Sequence, residues 1–148
     1  MAEPRPAPPA DVIAHAAHVA RAVLQRLGST VPAWTVLDIS HHHEPTPPPP
    51  GLPAGQHLLI TLGSGTGDPA PVGVYYAMYL PEDQAIVATA DQIQDHAIEA
   101  THGEAVPPCP SHQHPLAARS FNGVASWLCP LDPQHHHEPI MPDVGDEA

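Results

Sequence analysis

Apolar positions along the chain follow two periodicities. Within residues 11–27, Val12, Ala16, Val19, Val23 and Leu27 recur at helical spacing, and Ile13, Ala20 and Leu24 widen the stripe. This predicts an amphipathic helix with one face on a core, and Gly28 supplies a C-terminal stop. Residues 34–39, 56–62 and 72–80 are short runs rich in Leu, Ile, Val and Tyr and read as strands, with a further strand at 85–88. A second helix is expected over 91–101, where Thr89 and Gln92 fit a capping box and Gly103 ends the element. Residues 116–121 and 124–128 then flank Asn122-Gly123. Asn-Gly is the favoured pair for a two-residue type I′ turn, because both central residues need positive φ. Short links between the central strands favour antiparallel pairing. The expected class is α+β: a small, mainly antiparallel sheet with two helices on one face and an appended β-hairpin.

Proline interrupts this pattern in three places. The chain has 22 prolines in 148 residues, concentrated at 4–9, 45–53 and 130–142. Such stretches favour extended polyproline II over helix or sheet. The expected organisation is therefore a flexible tail at 1–10, an α+β domain at 11–106 with a Pro/His-rich loop at 40–55, a hairpin module at 107–134 and a His/acidic tail at 135–148.

The hairpin module carries the most specific chemistry. Cys109-Pro110-Ser111-His112 precedes the hairpin and Cys129-Pro130-Leu131-Asp132 follows it, each with a metal-ligand type at its first and last position. His114 adds another imidazole, and these are the chain's only two cysteines. Zinc favours four ligands drawn from thiolate, imidazole and carboxylate. A hairpin of this size returns Cys129 close to Cys109. An isolated two-stranded hairpin is marginal in water, and a metal clamping its open end supplies stability. The expected ligands are Cys109, His112, His114 and Cys129, with Asp132 as substitute for either histidine. The alternatives are a disulfide across the hairpin, or two buried thiols.

Residues 107–133 resemble a zinc ribbon, with His112 and Asp132 standing where the common pattern has cysteine. The segment also resembles small actinobacterial proteins in which a helix leads into a Cys-Pro-x-His knuckle, then His-Pro-Leu, a hairpin and Trp-x-Cys-Pro. The matching residues here are Cys109, His112, His114-Pro115-Leu116 and Trp127-Leu128-Cys129-Pro130. The resemblance implies a shared fold and metal site, and the residues themselves lead to the expectation of one structural zinc. It implies no activity.

Charge narrows the expected partners. Four Arg and no Lys stand against 16 acidic residues, a formal net charge of −12. Phosphate binding requires clustered positive charge, so no nucleic acid and no anionic membrane surface is expected as a partner. No apolar run approaches the ~20 residues of a transmembrane helix, and residues 1–30 lack a signal-peptide pattern. A cytoplasmic protein whose partner is another protein is the resulting expectation. Histidine is unusually abundant, at 13 residues. His41-His42-His43-Glu44-Pro45 recurs as His135-His136-His137-Glu138-Pro139. Neutral imidazole clusters bind nickel, cobalt, copper or zinc, so the two copies are a candidate second site for an exchangeable divalent metal. A low-complexity histidine tract is the alternative.

Enzyme motifs are weak. His42-His43-Glu44 and Pro108-Cys109-Pro110-Ser111-His112 loosely echo the zinc deaminase pair, but the match fails at its last ligand. The glycine-rich run 63–68 is followed by Pro69, Pro71 and another strand rather than by the helix a phosphate cradle needs. Three function classes remain: a zinc-binding interaction or accessory module, a His-rich metal buffer or metallochaperone, and a zinc-dependent hydrolase or deaminase-like enzyme. Trp127, on the return strand, is expected to pack the hairpin onto the rest of the chain.

Overall fold

In the computed structural model, residues 10–28, 34–43, 56–64, 70–110 and 112–141 are described. Residues 1–9 of the expected 1–10 tail, Glu44 with the rest of the Pro/His-rich loop, most of the glycine-rich run and residues 142–148 lie outside them, while Ala10 begins the first helix. The described residues form an α+β arrangement of two helices and two three-stranded antiparallel sheets. Helix α1 (Ala10–Leu27) buries Ala16, Val19, Ala20, Val23 and Leu27, the stripe its sequence predicts. Gly28 follows with φ +84°, and its N–H donates to the Leu24 carbonyl.

Strands β1 (Thr35–His43), β2 (Gln56–Gly63) and β3 (Val72–Ala77) form the first sheet in that order. β1 is longer than its sequence suggests. His41, His42 and His43, expected in a loop, extend the strand and pair in register with Leu58, His57 and Gln56. Pairing with the apolar β2 overrides the weak strand tendency of the histidines. β3 is shorter than expected and ends at Ala77, where a turn leads to Pro81.

The second helix departs most from expectation. α2 runs Glu82–Ala100, so the predicted strand at 85–88 is helical and no helix start lies near Thr89. The reason is visible in the burial: Ala85, Ile86, Thr89, Ala90, Ile93, Gln94 and Ala97 form one continuous helical stripe. Pro81 with ψ 151° precedes the first turn, and Glu82 and Asp83 meet the positive end of the helix dipole. Thr89 and Gln92 therefore make other bonds than those of a capping box. The Thr89 hydroxyl donates to the Ala85 carbonyl at 2.9 Å. Gln92 accepts the Tyr75 N–H at 2.9 Å and donates to the Tyr75 carbonyl at 2.8 Å, closing part of the outer edge of β3. The C-terminus is a Schellman turn: Gly103 N–H donates to Ile98 O and His102 N–H to Glu99 O, with His102 at φ 59°.

The second sheet has the order β4-β5-β6, with β4 (Ala117–Phe121), β5 (Val124–Leu128) and β6 (His137–Pro139). Asn122 at φ 54° and Gly123 at φ 80° make the two-residue turn that the sequence predicts. The third strand was unexpected. Residues 137–139, assigned to a tail from their composition, pair with Ser126 to Leu128, and Ile140 and Met141 are buried behind them. Helix α2 packs against β3 and also against β4 and β5. The buried residues of both sheets and both helices form one cluster, and fully buried Trp127 belongs to it.

Candidate metal centre

The site is built by two chain segments held at one end of the second sheet. The first is a tight loop closed by three backbone hydrogen bonds: Leu116 N–H to Pro107 O at 2.8 Å, Cys109 N–H to His114 O at 3.2 Å and His112 N–H to Cys109 O at 3.2 Å. These bonds fold residues 109–114 back on themselves and turn Cys109, His112 and His114 toward one point. Helix α2 fixes the base of this loop. The Gln94 side-chain amide, buried at 5 % exposure, donates to Val106 O at 3.1 Å and Leu116 O at 2.6 Å. One side chain thus ties both ends of the loop to the core. The second segment begins where β5 ends. Cys129 is carried by the strand, and its N–H donates to His136 O at 3.0 Å.

The ligand atoms of Cys109, His112, His114 and Cys129 all lie within 4.8 Å of one another. His112 Nδ1 is 3.3 Å from Cys109 Sγ and 3.7 Å from Cys129 Sγ, and His114 Nε2 is 3.9 Å from Cys129 Sγ. A tetrahedral zinc with bonds of ~2.3 Å to sulfur and ~2.05 Å to nitrogen separates those atoms by about 3.6 Å. These three sulfur–nitrogen edges bracket that value, and every edge lies within 4.8 Å, so the four side chains could hold a metal ion between them. His114 is also oriented for it. Its Nδ1 lies 3.1 Å from Pro115 O. A carbonyl only accepts, so Nδ1 carries the proton and Nε2 offers its lone pair to the cluster, the arrangement metal-bound histidines show.

The two sulfurs are buried, Cys109 at 3 % and Cys129 at 0 % exposure, and both are free thiols. Desolvation pushes the Cys109 thiol above its ordinary value, and the adjacent Cys129 thiol pushes it further. Two neighbouring thiolates repel in a medium that solvates them poorly, and a divalent cation between them removes that penalty. The imidazoles form the outer side: His112 is exposed and His114 half-buried.

Asp132, the expected substitute ligand, stands outside the four. Its Oδ1 accepts the Gln134 N–H at 3.0 Å, and its carbonyl accepts the His135 N–H at 2.9 Å, which shapes the turn leading to β6. The six repeat histidines are spread over both sheets. His41, His42 and His43 end β1, and the side chains of the last two lie outside the described residues. In the second copy, His135 Nε2 is 2.7 Å from Pro110 O, His136 Nε2 is 2.8 Å from Glu138 Oε1, and the His137 ring lies 4.7 Å from that of Phe121. Among the described residues no second group of three metal-ligating side chains comes together.

Glu138 anchors this second segment in a way the sequence did not signal. Arg26, in the last turn of α1, donates from Nε to Oε2 at 2.7 Å and from a terminal nitrogen to Oε1 at 3.0 Å. The fork ties α1 to β6 across 112 residues of sequence. Burial alone raises the Glu138 carboxyl, but the hydrogen bonds and charges of Arg26 and His136 outweigh it and hold the group below its ordinary value. A carboxylate depressed in this way adds stability above its unfolded value of ~4.3, and loses it as pH falls through the folded value. Glu138→Gln is therefore expected to lower stability at pH 7 by about 1 kcal/mol or less, the partial exposure of the pair limiting its strength. The deficit should shrink as pH falls through the lowered folded value, below which wild-type Glu138 is protonated too. Denaturant midpoints at several pH values check this, and a deficit constant with pH would exclude the ion pair as its cause.

No helix of the described residues is long and apolar enough to cross a membrane. No protein-family model, no curated protein and no solved structure matches the chain.

Proposed function

We propose that the chain is a small zinc-binding protein whose ion is structural and whose surface serves as an accessory or interaction module for another protein. The observation that carries the metal reading is the convergence of two buried thiols and two imidazoles within 4.8 Å of one another. An ion joining Cys109 to Cys129 would fasten the loop to the second sheet. Zinc is the ion that this mixed sulfur and nitrogen set suits best. Four protein ligands fill its preferred coordination, which leaves no open position for substrate and favours a structural over a catalytic ion. Support for the interaction role is compositional: a net charge of −12 and 22 prolines suit contact with a protein better than with nucleic acid.

Elemental analysis of the untagged protein tests the metal reading. One zinc per chain is expected to survive exhaustive dialysis against a mild chelator. Several loosely held metals would instead support buffering through the histidine tracts, and absence of stoichiometric metal after refolding with zinc would reject the centre altogether.

A further inference from the structure

His135 lies beside the four-ligand cluster without belonging to it. Its ring centroid is 4.6 Å from that of His112, and the His112 ring is in turn stacked 4.7 Å from His114. The three imidazoles make a row that starts at the buried sulfurs and ends at an exposed side chain. His135 is held there by its Nε2, which is 2.7 Å from Pro110 O. Since the carbonyl can only accept, Nε2 carries the proton and Nδ1 keeps its lone pair. The same segment is fastened on both sides of His135, by the Asp132 turn before it and by the bond from Cys129 N–H to His136 O after it. Pro110 and His135 thus bridge the two metal-binding segments at their solvent side.

We infer that His135 is an exchange ligand through which a zinc-like divalent cation is loaded into and unloaded from the centre. This rests on the reading of the cluster as a metal centre. A closed four-ligand site with both thiolates buried must take up its ion from the imidazole side. Zinc tolerates a fifth ligand in passing. The hydrogen bond to Pro110 breaks, His135 Nδ1 forms a bond to the metal, and the bond to exposed His112 Nδ1 breaks. No electrons move and the net charge is unchanged, since one neutral imidazole replaces another. The ion is then held by two sulfurs, His114 and His135, one step closer to solvent and to an external acceptor. Loading follows the same path in reverse.

The test is the rate at which zinc passes from the loaded full-length protein to excess chromogenic chelator. His135→Phe keeps an aromatic ring against His112 and removes the donor atoms. His135→Gln keeps a donor for Pro110 O and removes the imidazole. Both variants should still bind one zinc and should release it several-fold more slowly than wild type. Release at the wild-type rate from either variant would overturn the inference, and so would faster release, which would make His135 a clamp. If wild-type protein binds no zinc, the metal centre itself fails, a result that elemental analysis separates from an unchanged rate.

Discussion

Cys129→Ser is expected to abolish stoichiometric zinc binding and to remove the dependence of stability on zinc. Cys129 is fully buried and faces the other three ligand atoms. Structural zinc sites hold their ion with an apparent ~10–16 kcal/mol in small peptide modules, while a whole domain is stable by only ~5–15 kcal/mol. Losing even part of the metal contribution is therefore large beside the total. The substituted hydroxyl adds a buried polar group without a partner, at a cost of about 1–3 kcal/mol. The damage should be local first. Amide protection is expected to fall over Pro107 to Leu116 and Leu128 to His137, whose backbone bonds hold the two segments together. The first sheet is held to α1 by its own apolar face and should keep its protection longer. Hydrogen exchange, zinc content and melting temperature with and without chelator check the three parts. In excess chelator the wild type should descend towards the variant and stay above it only by the cost of the buried hydroxyl. A Cys129→Ser protein with full zinc content and wild-type melting would show that the thiol is ordinary core.

What the sequence made legible was the chemistry with short-range signals. The stripe of α1, the Asn122-Gly123 turn and the four side chains that come together at the candidate centre all declare themselves through helical spacing, positive φ and knuckle spacing. The losses came where a local signal competed with a tertiary one. Thr89 and Gln92 have the spacing of a capping box, yet they lie inside a helix that begins at Glu82, and Gln92 serves the edge of β3 instead. The sequence Pro81-Glu82-Asp83 held the better start signal, a proline followed by an acidic first turn. Nothing local marks Gln94 as the group that ties both ends of the metal loop to α2, because its acceptors are carbonyls 12 and 22 residues away. Likewise His137-Glu138-Pro139 looks like tail by composition. It becomes a strand because β5 offers an edge and Arg26 offers Glu138 a bidentate partner. Composition describes what a segment prefers alone, and here the partner decided.

Trp127→Ala is expected to be the most damaging substitution away from the ligands, at about 3–5 kcal/mol, the usual range for removing a large buried aromatic side chain. Trp127 is the largest fully buried side chain in the chain's described core and sits on the strand that delivers Cys129. Its register neighbours are Ala118 on β4 and Glu138 on β6, so the ring is the main apolar mass at the middle of the second sheet. Trp127→Phe separates volume from polarity. The indole Nε1 has no hydrogen-bond partner among the described residues. An unpaired buried donor costs about 1–3 kcal/mol, so phenylalanine loses volume but also sheds that cost, and should destabilise far less than alanine. Urea midpoints of the zinc-loaded proteins measure both. Equal losses for Phe and Ala would mean that Nε1 makes a bond, to ordered water, that holds the sheet. Zinc should also rescue Trp127→Ala in part, since a ligand that binds only the folded chain shifts folding by mass action. Such a rescue would tie the core to the centre: Trp127 positions the strand end, and an ion bound at Cys129 would favour the same packed state from outside it.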